Sequence, residues 1–417
     1  MMNRRSFIQK TLTMAMLSIG HVKVWAMPNT TQPNPPRLLV ILLRGAYDGN
    51  SLLVPHGFPY YYSARPTIAI ASPNASDPAS AIDIGQGYGL HPVLANTIYP
   101  LYRQQQVAFV PFSGSQDISR SHFGAQDIME LGQPASTHPD YASGFLNRLV
   151  EVLQGRQTGV GVGGIAFTNN LPLSFKGRLQ IPNISLNGEI HDIADNHQSH
   201  LLESMYANTP LNAYLQSSMM TRHKVAETLS KDSDIVSKDM LVSARGAAKP
   251  SAFALVSRKM SALMRDNPAY SIGFVDIGGW DSHVNQGNAS GMLANNLNNL
   301  AQGLTAFIDG IGATAWKQTA VIVMSEFGRT FHENGTRGTD HGHGNTLWVL
   351  GGQINGGRLA GEQANLDRDS LFQQRDTPVL NDYRGVLADL MRGMYGLGND
   401  QLQHIFPGAP LKHYHLT

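Results

Sequence analysis

The sequence predicts an α/β protein built on a mostly parallel central sheet, and three observations predict it. Near-continuous apolar runs recur along the chain: Arg37–Leu43, Val107–Phe112, Ser271–Ile277 and Val321–Met324. Such runs are the pattern of strands covered on both faces. Amphipathic helical stretches separate them; Asn288–Gly310 carries Leu293, Leu297, Leu300, Leu304, Phe307 and Ile308 on one stripe. Each run then gives way to a glycine-rich polar segment, and α/β sheets present their sites at the carboxyl ends of the strands.

The densest such segment is Val321–Gly352. After the apolar run Val321–Met324 come Glu326, Arg329, His332, Glu333, Asp340, His341 and His343, interleaved with Gly328, Gly335, Gly338, Gly342 and Gly344. The glycines mark a loop with special backbone demands. A second apolar run, Leu347–Leu350, follows and ends in Gly351-Gly352.

The amino-terminal residues read as a targeting signal. Paired arginines, Arg4-Arg5, precede Phe7-Ile8 and Lys10; the mildly apolar run Thr11–Gly20 leads to Ala26, a small residue suited to cleavage. Paired arginines mark the twin-arginine export route. That run falls short of the about 20 residues a membrane span needs. The expectation is a signal peptide over 1–26, recognition by the twin-arginine export machinery, a Pro/Asn/Thr linker over 27–36, one domain over 37–417, and a periplasmic or secreted product.

Composition bounds the function. The chain has 417 residues, 42% hydrophobic and 15% charged, and a net charge of +1. Near-neutrality argues against nucleic acid and polybasic membrane surfaces as partners. Cysteine is absent, which removes disulfides, thiolate metal sites and a cysteine nucleophile.

In chain order, Asp48 follows the first buried run between Gly45 and Gly49. It is placed to face a metal or ligand, or to close a turn on its own backbone. Tyr60–Pro66 and Gly87–Pro92 read as surface loops. His91, ahead of a helix over Val93–Gln105, reads as a capping or packing residue. Ser121 sits where a helix N-cap belongs. The same position puts a hydroxyl beside free N–H groups, which suits a nucleophile attacking a phosphate or sulfate. Arg120 could clamp such an anion. Residues 159–250 change periodicity, with short strand-like pieces at Gly164–Phe167, Leu171–Phe175 and Ile184–Leu186 followed by the polar helical region Ser199–Leu241; this reads as a mid-chain insertion or cap. Asp281 and His283, two apart after Gly278-Gly279, point the same way in extended chain and make half of a metal site, or else a loop cap with its bonded imidazole.

These clusters lie at strand ends that share one edge in a parallel sheet. Together they supply acids, imidazoles and a hydroxyl, a set suited to Zn²⁺, Mn²⁺, Ca²⁺ or Mg²⁺ as one or two ions and to metal-assisted hydrolysis.

Leu42–Gly49 (LLRGAYDG), Arg120–Phe123 (RSHF), Gly279–His283 (GWDSH), Ser325–Arg329 (SEFGR) and Gly338–Gly342 (GTDHG) together resemble the exported bacterial family of domain of unknown function 1501. The resemblance covers nearly the whole chain after the signal. That family resembles in fold the alkaline phosphatase and sulfatase superfamily. The resemblance implies a three-layer sandwich, metal ligands at strand ends and a hydroxyl nucleophile at a helix start. It assigns Asp48 as first metal ligand, Ser121 as nucleophile, Asp281 with His283 as the acid-and-histidine pair, and Asp340, His341 and His343 as the rest. The superfamily's later strand usually ends in Asp-His, whereas here it ends in Glu326-Phe327, and Phe327 cannot ligate. A sulfatase-type modified nucleophile has no cysteine, and no Pro follows the serines at the usual spacing.

Two functions are expected on these grounds. The first is a metal-dependent hydrolase of small anionic phosphate, sulfate or related esters. In it Ser121 or water attacks, Asp48, Asp281, His283, Glu326, Asp340, His341 and His343 surround the metal, and Arg120 or Arg329 clamps the anion. The second is a non-catalytic periplasmic binding or assembly protein on the same fold with a degenerate metal site.

Overall fold

A computed structural model describes residues 35–135, 138–156, 161–186 and 248–417. The expected signal peptide, most of the expected linker and the polar stretch Ser199–Leu241 fall outside the described residues. Among the described residues no helix is long and apolar enough to cross a membrane.

The main sheet is built from β1 (Arg37–Leu43), β2 (Val107–Gly114), β3 (Gly164–Ala166), β4 (Ile272–Ile277), β5 (Thr319–Ser325), β6 (Asn345–Gly351) and the two-residue strands β7 (Arg358–Leu359) and β8 (Asn381–Asp382). Its order is β7-β2-β6-β5-β1-β4-β3, with β8 also pairing β2. β1 pairs in parallel with both β4 and β5, whereas β6 runs antiparallel to β5 and to β2. The sheet is therefore mostly parallel, with β6 reversed.

The strands are buried along their whole length because both faces are covered. Leu39, Ile41 and Leu43 pack into one core with α3 (Phe253–Asp266) and α4 (Met292–Ile311); Leu38, Val40 and Leu42 pack into the other with α2 (Phe145–Gln154) and α5 (Tyr383–Tyr395). Side chains alternate across a strand, so an all-apolar strand serves two layers, each fully buried Leu or Ile contributing about 1.5–3 kcal/mol. This is the expected three-layer sandwich.

Register places the site. Leu43 lies opposite both Ile277 and Ser325, so β1, β4 and β5 end level with one another. The chain after β5 returns as β6 from that same edge, where Asn345 faces Ser113 near the end of β2. One edge thus collects the segments after β1, β2, β4 and β5 and the segment leading into β6.

Several local expectations are corrected. Residues 59–64 form a helix rather than a surface loop, with Tyr61 buried. Gly87–Pro92 contributes Tyr88–Leu90 to a small three-stranded sheet with Leu53–Val54 and Ile82–Gly85. Leu173–Phe175 is a 3₁₀ turn, not a strand. The tail, whose sequence shows no regular pattern, folds into α6 (Asn399–Ile405), whose Leu402 and Ile405 join the second core. In each case burial against the sheet outweighs a weak local pattern. His91 does cap: its Nδ1 accepts from the Val93 N–H at 3.2 Å, and burial pushes its imidazole down to about 4.

Candidate metal centre

Three imidazoles and one carboxylate converge at this edge. His122 comes from the first turn of α1 (His122–Leu131), Asp281 and His283 from the segment after β4, and His341 from the segment entering β6. Nε2 of His122 lies 2.9 Å from Nε2 of His341, and Nε2 of His283 lies 3.0 Å from the same atom. Asp281 Oδ1 is 3.0 Å from His283 Nε2 and 3.7 Å from His341 Nε2, while its Oδ2 is 3.8 Å from His122 Nε2. Among the described residues, His122, Asp281 and His341 are close enough to share an ion, and His283 Nε2 stands beside both Asp281 and His341.

The far side of each ring sets its tautomer. His122 Nδ1 meets Glu326 Oε1 at 2.8 Å, His283 Nδ1 meets Asp340 Oδ1 at 3.1 Å, and His341 Nδ1 meets the Arg120 carbonyl at 2.9 Å. A carbonyl only accepts, and so does an ionised carboxylate. Burial alone would raise Glu326, but hydrogen bonds from His122, Gln126 and backbone amides hold it below its ordinary value. The Asn334 amide, and His283 after it, hold Asp340 low against its partial burial. All three Nδ1 atoms therefore donate, which in neutral rings leaves the Nε2 lone pairs turned toward one another. At 2.9 and 3.0 Å the His341 lone pair then repels those of His122 and His283 unless a positive centre lies between them.

A cation fits that donor set. Zn–N bonds of about 2.0–2.1 Å in a tetrahedron put neighbouring ligand atoms about 3.3 Å apart, within a few tenths of an ångström of these spacings. Imidazoles bound through Nε2 with Nδ1–H on a carboxylate or carbonyl are the usual arrangement around a metal. Asp281 is also prepared: burial would raise it, but its neighbours, the Arg329 guanidinium among them, keep it well below the usual carboxylate range. Arg329 is buried and donates from Nη2 to Asp281 Oδ1 at 2.6 Å; its Nε and Nη1 have no protein partner.

The backbone makes these approaches possible. Gly45 adopts φ +116°, and a Cβ there would lie 2.7 Å from the Asp281 nitrogen. The bare turn lets the Gly45 N–H reach Glu326 Oε1 at 2.8 Å. Gly342 has no room either, its added Cβ falling 2.4 Å from the Arg329 backbone, so the Arg329–His341 bridge that aims His341 needs glycine there.

The expected site residues divide accordingly. Asp281, His283 and His341 come together; Glu326 and Asp340 stand behind histidines rather than on the ion site. Asp48 is elsewhere, which corrects its expected place as first ligand. It is fully buried and paired with Arg65 through both carboxylate oxygens, and it also accepts from Ser51 and Gln286. It caps the turn Gly49–Leu52. Its lone pairs are spent: burial would raise its pKa, but Arg65 together with the Ser51 and Gln286 hydrogen bonds brings it below its ordinary value. His343 is also apart, its ring 4.7 Å from Phe372, with burial lowering its pKa. Arg120 spends its guanidinium on Asp376 and Gln373, so only its carbonyl serves the centre. Ser121 occupies the N-cap position of α1, is exposed, and makes no side-chain capping bond. Phe327 walls the site, its ring 4.9 Å from His122 and 5.2 Å from His341.

Sequence reasoning missed His122 and Arg65. His122 stood one residue from the candidate nucleophile, in a helix's first turn, and that adjacency was the available signal. Arg65 lay in a stretch read as surface loop.

The sequence matches the family described as "Protein of unknown function (DUF1501)" over residues 35–406. No curated protein matches the chain. Among solved structures it is similar to a protein in the alkaline phosphatase superfamily from Vibrio parahaemolyticus, at 10% identity and TM-score 0.40, covering 94% of this chain and 76% of that one. It is similar to the alkaline phosphatase of the Antarctic bacterium TAB5, at 11% identity and TM-score 0.31, covering 76% and 92%. A 2-O GAG sulfatase matches at 10% identity and TM-score 0.32, covering 91% and 76%.

Proposed function

The chain belongs to the DUF1501 family of proteins of unknown function, and from that premise we propose that it is an extracytoplasmic, metal-dependent hydrolase of phosphate, sulfate or related esters. The observation that carries the reading is the meeting of three imidazole Nε2 atoms with the Asp281 carboxylate. His122, His283, His341 and Asp281 would hold one divalent cation. A set with three imidazoles favours Zn²⁺ over Mn²⁺, Ca²⁺ and Mg²⁺, which prefer oxygen-rich shells. When bound, the cation supplies Lewis acidity at an ester oxygen.

The chain's own residues do the rest. Glu326, Asp340 and the Arg120 carbonyl keep the protons on Nδ1. Arg329 keeps Asp281 ionised. Asp281 and His283 are 47% and 40% exposed in their side chains, so a small anionic ester can approach. Ser121, at the amino end of α1, offers an exposed hydroxyl near the positive end of the helix dipole, a place that favours an anion. It is the nucleophile in this reading, with water as the alternative.

The expected result is stoichiometric divalent metal in the purified mature protein and turnover of an aryl phosphate or aryl sulfate. Ser121→Ala should lower kcat by roughly 10³-fold or more, the scale of nucleophile deletions, with metal content unchanged. Elemental analysis that finds no metal after reconstitution sinks the proposal. Unchanged kcat in Ser121→Ala hands the attack to water. A second reading, a non-catalytic periplasmic binding or assembly protein, is favoured by the sealing of Asp48 and by Phe327; metal uptake without turnover of any such ester would select it.

Export by the twin-arginine machinery belongs to the same proposal. Arg4→Lys with Arg5→Lys should leave the precursor in the cytoplasm, and the exported wild-type protein should begin near Met27 on amino-terminal sequencing. Export undiminished in the double variant would refute that route.

A further inference from the structure

A buried polar ladder runs from the interior to the candidate centre. His122, Gln126 and Glu130 recur every four residues on α1 and so share one face. Arg44, just past β1, donates from Nε to Asp276 Oδ2 at 2.6 Å, from Nη2 to Glu130 Oε1 at 2.8 Å, and from Nη1 to Gln126 Oε1 at 2.7 Å. Gln126 Nε2 in turn donates to Glu326 Oε1 at 2.9 Å. Arg44, Gln126, Glu130, Asp276 and Glu326 are all buried. A guanidinium can only donate, so Arg44 turns the Gln126 carbonyl toward itself and commits the amide NH₂ to Glu326. The same Glu326 oxygen receives the Gly45 N–H and His122 Nδ1–H, while its Oε2 accepts from Ser325 Oγ at 2.9 Å.

We propose that Gln126 is a positioning residue for the cation: held by Arg44, it fixes the Glu326 carboxylate, and through it the tautomer and aim of His122. This rests on the reading that His122 is a metal ligand. Gln126 would touch neither cation nor substrate. Its effect passes through two hydrogen bonds, and outer-shell partners of metal-bound histidines typically matter by about 10- to 100-fold in metal affinity.

The test compares the wild-type chain with Gln126→Met, which removes both hydrogen bonds, and Gln126→Glu, which keeps an acceptor for Arg44 but sets a second carboxylate against Glu326. Three quantities are read: the Zn²⁺ dissociation constant by chelator competition, the visible absorption bands of the Co²⁺-loaded protein, and the melting temperature of the metal-free chain. Both variants should bind Zn²⁺ about tenfold or more weakly and shift the cobalt bands. A lower melting temperature with unchanged affinity and unchanged bands would show a merely structural residue and overturn the inference. If Gln126→Met does not fold, Gln126→Glu alone decides between the same results. A wild-type chain that takes up neither ion overturns the cation reading and this inference with it, whereas a wild type that binds both and variants that bind identically overturn this inference alone.

Discussion

Replacing His341 by alanine is expected to weaken Zn²⁺ binding by roughly 100- to 1,000-fold while the metal-free chain still folds. The magnitude follows from sharing about 10–16 kcal/mol of zinc binding among four donors. His341 is the right residue to remove because its Nε2 lies within 3.0 Å of two other imidazole nitrogens. Its ring is partly exposed, 27% in the side chain, so removing it opens no fully buried cavity. Two further variants grade the same measurement. Glu326→Gln leaves all four donors in place but weakens the acceptor behind His122, so the loss should be about 10- to 100-fold. Asp48→Asn should leave affinity unchanged, since Asp48 is engaged with Arg65. Chelator competition on the three proteins orders them; equal affinity in His341→Ala and wild type would remove His341 from the centre, and metal loss in Asp48→Asn would return Asp48 to it.

The second large effect is on stability. Arg65→Met should destabilise the protein by about 3–5 kcal/mol, because it strands a buried carboxylate that had a full ion pair. Asp48 and Arg65 are both fully buried, and Arg65 also donates to the Phe331 and Thr330 carbonyls, which then lose partners as well. The pH dependence follows from the sign of the Asp48 shift. Its folded pKa is lowered, against about 3.9 in the unfolded chain. Its contribution is therefore complete above pH ~4 and is lost as pH falls below that value toward the folded pKa. Urea unfolding of the two proteins should show a wide gap at neutral pH that narrows in acid. A gap below about 1 kcal/mol at neutral pH would mean that the pair is dispensable.

Much of the architecture was legible because burial on both faces leaves a one-dimensional trace. Runs such as Leu38–Leu43 need apolar residues at every position, and the stripe of α4 repeats at helical spacing. Direction left no such trace: β6 reads like its neighbours although it runs the other way, since an apolar strand buries equally well in either sense. The candidate site was legible in part. Asp281, His283 and His341 sit in glycine-punctuated segments after or before buried strands, and that placement alone brought them to one edge.

What the sequence determined by itself is the menu: an α/β sheet, one polar edge, hard and borderline ligands without sulfur, and an amino-terminal signal pattern. Tertiary structure alone decided which members of the menu act together. Asp48 and Glu326 are both acids at strand ends, yet one is neutralised by an arginine distant from the edge residues in sequence and the other stands behind a histidine on a different helix. The physical reason is that a carboxylate's role depends on which donors reach its few lone pairs, and the deciding ones here, Arg65 for Asp48 and His122 and Gly45 for Glu326, lie 17 to 281 residues away. Spacing along the chain carries no record of that competition.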